Sequence, residues 1–193
     1  MRQTNRNLTT LIVLGLLLFG DVRGPRPTLG ADGPPAPSNL RCEYLTNPLG
    51  IDVLEPRFFW VLEHTARGQK ESAYQVLVAT RPELLAQDRG DQWDSGKVAS
   101  DQSTQVVYAG KPLESGRTYY WKVRYWDTQA NASLYSPPAQ FEMGLLAPEE
   151  WKGQWIGGSN QLRTEFQLPE ALTRARAYIC GLGYYELRIN GSK

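Results

Sequence analysis

Three carboxylates in the 193-residue chain invite an acid–base reading: the adjacent Glu149 and Glu150, and Glu55 far upstream. Acid–base catalysis needs two groups that converge on one reacting atom within hydrogen-bond reach. Neighbouring carboxylates on a connecting segment point apart into water, so solvated charge is the expectation for this pair. Asp94-Ser95-Gly96 has the look of a ligand loop. Turn chemistry accounts for it more simply, with Asp capping backbone amides and Gly taking positive φ. His64 is the only histidine and no Cys/His cluster has metal-ligand spacing. Neither a metal nor a cofactor is expected.

The aromatic residues offer a different chemistry, stacking on a sugar ring or on another protein surface. Tyr120 and Trp126 fall on the polar face of one strand, and exposed aromatics of this kind usually mark interfaces. A neighbouring domain is therefore favoured over a sugar as their partner. Tyr184 is the best candidate for a sugar contact further along the chain. Trp151 and Trp155, four residues apart, read as a hinge pinned between domains. Asn131-Ala132-Ser133 fits a glycosylation sequon, for which chance is the default.

The elements that must position these residues are short and β-like. "RFFWVLEH" (57–64), "SAYQVLVAT" (72–80), "QVVYAG" (105–110), "TYYWKVRYWD" (118–127) and "AQFEMG" (139–144) are rich in Val, Tyr, Phe and Trp and are separated by turn residues. That pattern predicts an all-β sandwich. "RPELLAQDRG" (81–90) has room for one helical turn or a loop. In 118–127, Tyr119, Trp121, Val123 and Tyr125 form an inward face, whereas Tyr120, Lys122, Arg124 and Trp126 should meet water. Leu113 precedes Tyr119 across "ESGRT", the arrangement of a tyrosine corner, in which the phenol bonds back to upstream backbone. With Trp60 as a core partner and no disulfide, this predicts a fibronectin type III-like (immunoglobulin-like) domain over 38–144.

A Trp-containing linker follows at 145–158, and a second β region begins at 159–193. There "LRTEFQL" (162–168), "RARAYICGLG" (174–183) and "YYELRIN" (184–190) alternate like strands, with Gly181 and Gly183 suggesting a bulge. Asn190-Gly191 is a type I′ hairpin signal, yet only Ser192 and Lys193 follow it. Three strands cannot close a sandwich, so the expectation is a module cut in mid-hairpin.

At the other end, Arg2 and Arg6 precede the apolar run "LTTLIVLGLLLF" (8–19), which is short for a bilayer span and fits a secretory signal. Residues 1–30 read as a signal peptide, with a retained N-terminal anchor as the alternative. Residues 31–37 read as a Pro/Gly-rich spacer. Export to the periplasm or the cell exterior follows, with no membrane span after signal removal. The formal net charge of +1, from 21 Lys+Arg against 20 Asp+Glu, leaves no basic footprint for nucleic acid. Cys42 and Cys180 fall in different domains and are expected as two buried free thiols.

Four short motifs carry a family resemblance. Trp93-Asp94-Ser95-Gly96 and Tyr119-Tyr120-Trp121, then Trp151 with Trp155-Ile156, and finally Gly181-Leu182-Gly183-Tyr184-Tyr185-Glu186 occur in order and spacing. Over about 38–193 the chain resembles the N-terminal region of bacterial α-L-rhamnosidases of glycoside hydrolase family 78. The resemblance implies an exported multidomain enzyme: a fibronectin-like domain, then a jelly-roll sandwich of which 159–193 is the start, then a catalytic (α/α)6 barrel. It also implies removal of terminal α-L-rhamnose from glycosides or polysaccharides with inversion. Inversion uses one carboxylic acid and one carboxylate roughly 6.5–9.5 Å apart. The family carries both in its barrel, so no catalytic residue transfers to this chain, and a rhamnose-containing substrate would act through the missing domains. A secreted β-sandwich carbohydrate-binding or adaptor protein is the alternative.

Overall fold

The computed structural model describes residues 33–64, 67–158 and 161–193. Residues 1–30, read as a signal peptide, lie outside them. The chain divides into two compact units, one ending at Trp151 and one running Lys152–Lys193.

In the first unit eight strands follow in chain order: β1 (Ser38–Cys42), β2 (Arg57–Val61), β3 (Glu71–Ala79), β4 (Trp93–Asp94), β5 (Val98–Ala99), β6 (Val106–Val107), β7 (Thr118–Asp127) and β8 (Ala139–Glu142). Helix α1 (Pro82–Ala86) follows β3, and a 3-10 turn spans Pro148–Glu150. The smaller sheet has the order β1-β2-β6; the larger runs β4-β3-β7-β8, with β5 also paired to β3. Every strand pair is antiparallel. The architecture is therefore an all-β sandwich with one short helix.

Alternation decides which side chains meet between the sheets. Along the β3–β7 ladder Tyr74 faces Tyr125, Val76 faces Val123 and Val78 faces Trp121. Such cross-strand pairs are the unit of sheet stability, each contributing about 0.2–1 kcal/mol beyond alanine. Phe58 of β2 comes from the opposite sheet, its ring centroid 4.4 Å from Trp121 and 5.7 Å from Phe141. Trp60, Leu113, Tyr119, Trp121 and Val123 all lie in this core. The Glu114 amide donates to the Tyr119 phenol oxygen at 2.9 Å. That bond is the tyrosine corner, made to the residue after Leu113. Burial raises the Tyr119 pKa, and the Glu114 amide opposes the rise.

Several sequence expectations change in the fold. Lys122, expected to meet water, is only 7% exposed. Helix α1 and Tyr135 cover its end of the sheet, where Leu77, Ala79 and Leu85 form a second small core. The Lys122 ammonium compensates by donating to the Leu85 carbonyl and the Asp88 carboxylate, both at 2.5 Å, so a cation closes the C-terminal end of α1, where the helix dipole favours it. Within 31–37, read as spacer, Pro34 and Pro37 are buried. A Cβ on Gly33 would lie 2.7 Å from the Ala132 carbonyl oxygen, a close approach that glycine permits. The run 105–110 yields only the two-residue β6. Cys42 is buried but Cys180 is exposed, so the pair is not two buried thiols.

The second unit differs most from its sequence pattern. Among its described residues no strand forms at 162–168, 174–183 or 184–190, and residues 161–193 are all exposed. The hairpin turn itself forms, with Asn190 at φ 51° and Gly191 at φ 81°. Ile189 and Ser192 exchange backbone hydrogen bonds of 2.9 and 3.0 Å across it. A two-residue turn closes through local geometry. Strand alternation, by contrast, needs a partner to become a ladder.

Candidate interface on the outer sheet face

Strand β7 sends every second side chain to the outer face of the larger sheet. The Arg124 guanidinium lies over the Trp126 ring at 4.9 Å and over the Tyr135 ring at 4.7 Å. The Lys97 ammonium lies 4.5 Å from the Trp126 ring and that of Lys122 lies 4.4 Å from the Tyr135 ring. Each cation–π contact is worth about 0.5–1 kcal/mol at an exposed site and about 2 when desolvated. Gln75, opposite Arg124 in the ladder, fixes the row. Its Oε1 accepts from Arg124 Nε at 3.0 Å and Nη2 at 2.7 Å, and its Nε2 donates to Asp94 at 2.7 Å. Burial pushes the Tyr135 phenol up to about 12 against the pull of Arg124.

This row changes what the aromatics can do. Trp126 already carries two cations over its ring, those of Lys97 and Arg124. Tyr120 is half-buried against the small core beneath α1. Tyr184 is 92% exposed in the second unit, and Trp155 is 69% exposed. Tyr120 and Trp126 thus share one face, and Tyr184 belongs to the other unit. Sequence reading did not find Lys97, Gln75 or Tyr135 as members of the row. Their only signal would have been strand register, which places Gln75 opposite Arg124.

The carboxylates do not converge. Solvated charge was expected of Glu150, but its carboxylate is half-buried and hydrogen-bonded. One of its oxygens accepts from the Ser115 hydroxyl at 2.5 Å and from the Leu146 and Ala147 amides at 3.0 Å each. It closes the 3-10 turn and ties 146–150 to the loop before β7, so the first part of the expected linker belongs to the sandwich unit. Glu55 is exposed on the loop before β2. Asp94-Ser95-Gly96 is a turn between β4 and β5: the Gly96 amide donates to Asp94 at 2.9 Å and Gly96 has φ +60°. The Val76 amide donates to the Ser95 hydroxyl at 2.9 Å, pinning that turn to β3. Among the described residues no group of three or more His, Cys, Asp or Glu could hold a metal ion. Nor is any helix among them long and apolar enough to cross a membrane.

Two antiparallel sheets closed on an aromatic core, with a tyrosine corner, define a β-sandwich module of immunoglobulin type. Residues 37–147 match the family described as Rha78A-like, N-terminal immunoglobulin domain, and the chain belongs to that family. An α-L-rhamnosidase of Formosa agariphila is 35% identical over 178 residues, an alignment covering 77% of this chain and 19% of the relative. An α-L-rhamnosidase of Streptomyces avermitilis is 45% identical over 114 residues, covering 59% of this chain and 11% of the relative. The chain thus spans about a fifth or less of the length of these curated relatives. Among solved structures, the α-L-rhamnosidase of Dictyoglumus thermophilum superposes with a TM-score of 0.62 at 42% identity, covering 65% of this chain and 14% of that one. The Streptomyces avermitilis α-L-rhamnosidase complexed with L-rhamnose gives 0.60 at 41% identity, covering 64% and 12%.

Proposed function

We infer that this chain is the noncatalytic N-terminal part of an exported α-L-rhamnosidase, which removes terminal α-L-rhamnose from glycosides or polysaccharides by inversion. The match of 37–147 to the rhamnosidase N-terminal immunoglobulin family carries this reading, together with relatives that bear the same activity name. The sandwich contributes a rigid module at the front of the enzyme, with residues 159–193 as the start of the following jelly-roll. Its outer sheet face, edged by Tyr120 and Trp126, meets a neighbouring domain of the enzyme. The two carboxyl groups that inversion requires reside in domains beyond this sequence, and residues 1–30 direct export.

The test is an assay of the purified 193-residue chain with a nitrophenyl α-L-rhamnoside. No nitrophenol release is expected, and release above a heat-denatured control refutes the noncatalytic assignment. Sequencing past codon 193 addresses the rest. A continuing frame with a returning strand and a helical barrel bearing paired acids supports the enzyme reading; a stop codon there refutes it for this product.

A further inference from the structure

The least expected group in the sandwich is a carboxylic acid in its interior. Glu71 opens β3 and is only 2% exposed. One carboxyl oxygen accepts from the Trp60 indole N–H at 3.2 Å. This bond joins the two sheets, because Trp60 lies on β2 and Glu71 on β3. The other oxygen is buried with no hydrogen-bond partner, as is the hydroxyl of Tyr125 on the adjoining strand β7. Glu71 also sits at the irregularity of the β3–β7 ladder, where the register shifts between Glu71 and Ala73.

The charged and titratable surroundings favour the neutral form. From the segment after β5, Asp101 adds negative charge and is itself paired with Lys70 at 3.8 Å. From β7, Tyr125 and Asp127 face this end of β3; Tyr74 lies on β3 itself. Asp127 stays ionised: burial alone would raise its pKa, but hydrogen bonds from Asn131 and Gln129 and the nearby His64 outweigh it. From β2 the Trp60 indole, uncharged, donates to Glu71. An ionised carboxylate here would hold one hydrogen bond in a dry site, an unfavourable arrangement that is relieved by taking up a proton.

We propose that Glu71 is a pH-sensitive latch between the two sheets, neutral in the folded sandwich and loosening the Trp60 end of the domain when it ionises. Burial, aided by Asp101 and opposed by the Trp60 hydrogen bond, pushes its pKa up to about 7 from the ordinary 4.5. Its stabilising effect is therefore fully present below about pH 4.5 and is lost as pH rises through about 7.

The experiment is urea unfolding of the 193-residue chain and its Glu71→Gln variant from pH 5 to pH 8.5, followed by Trp fluorescence. Gln is neutral at every pH. The ratio of folded to unfolded wild type is expected to fall, relative to the variant, by about tenfold or more across this range. Parallel pH curves for the two proteins overturn the proposal. A carbon-13 NMR titration of the Glu71 side-chain carboxyl in the wild-type chain decides the matter even if the variant does not fold. A midpoint above pH 6 supports the latch, and a midpoint at or below pH 6 refutes it.

Discussion

The sandwich through Trp151 and the unit from Lys152 onward are written in the same alphabet and fold differently. Both carry alternating segments rich in aromatic and β-branched residues. In the first, β7 lies between β3 and β8, and its inward side chains close against Phe58 and Trp60 from the other sheet. In the second, "YYELRIN" alternates just as regularly, yet Tyr185, Leu187 and Ile189 remain exposed. Alternation assigns side chains to faces; only a hydrogen-bonded neighbour and an opposing apolar layer turn that assignment into stability. What the second unit does form is local. One example is the Asn190-Gly191 turn; another is the contact of Glu186 with Lys193 at 2.8 Å, which with Arg188 holds the Glu186 carboxyl below its usual range.

The contrast can be broken most forcefully from inside the sandwich. Phe58→Ala removes the ring that touches Trp121 and Phe141 and is expected to cost about 3–5 kcal/mol. Urea unfolding would read this as a large fall in midpoint. Amide exchange in β3 and β7 should accelerate, while exchange in 162–190 should not change. A smaller effect is expected from Tyr119→Phe, which leaves the core volume unchanged and deletes the acceptor for the Glu114 amide. The cost should be about 1–2 kcal/mol, seen as a lower unfolding midpoint with an unchanged m-value. At the weak end, Tyr184→Ser in the second unit should change stability by less than about 0.5 kcal/mol. A loss above about 1 kcal/mol in the same unfolding experiment would mean that Tyr184 packs against something, and the contrast between the units would fail.

Some of this organisation was legible from residue types alone. The inward face of β7, the burial of Trp60 and Leu113 and the bond at the tyrosine corner follow from period-two alternation and from the spacing of Leu113 to Tyr119. The Asp94-Ser95-Gly96 turn follows from a side-chain acceptor two residues before its amide donor and a glycine at positive φ. Lys122 and Glu71 were not legible, for one shared reason. Each is a charged side chain whose burial is created by elements distant in sequence: α1 and Tyr135 over Lys122, and Trp60 against Glu71. Charge in a sequence predicts solvent, and nothing in the neighbouring residues announces the exception. The cation–π row has the same origin, since Lys97, Arg124 and Tyr135 meet only once β3, β7 and the segment after β7 are in place.

The sequence by itself determined the all-β class, the strand faces, the turns and the resemblance to the rhamnosidase N-terminal region. All of these rest on local stereochemistry or on residue order. Only the tertiary structure decided which charges are dry, which aromatic faces are already occupied and which alternating segments become strands. Those outcomes depend on the partner that arrives from elsewhere in the chain, because burial and hydrogen-bond pairing belong to the contact between elements and not to either element alone.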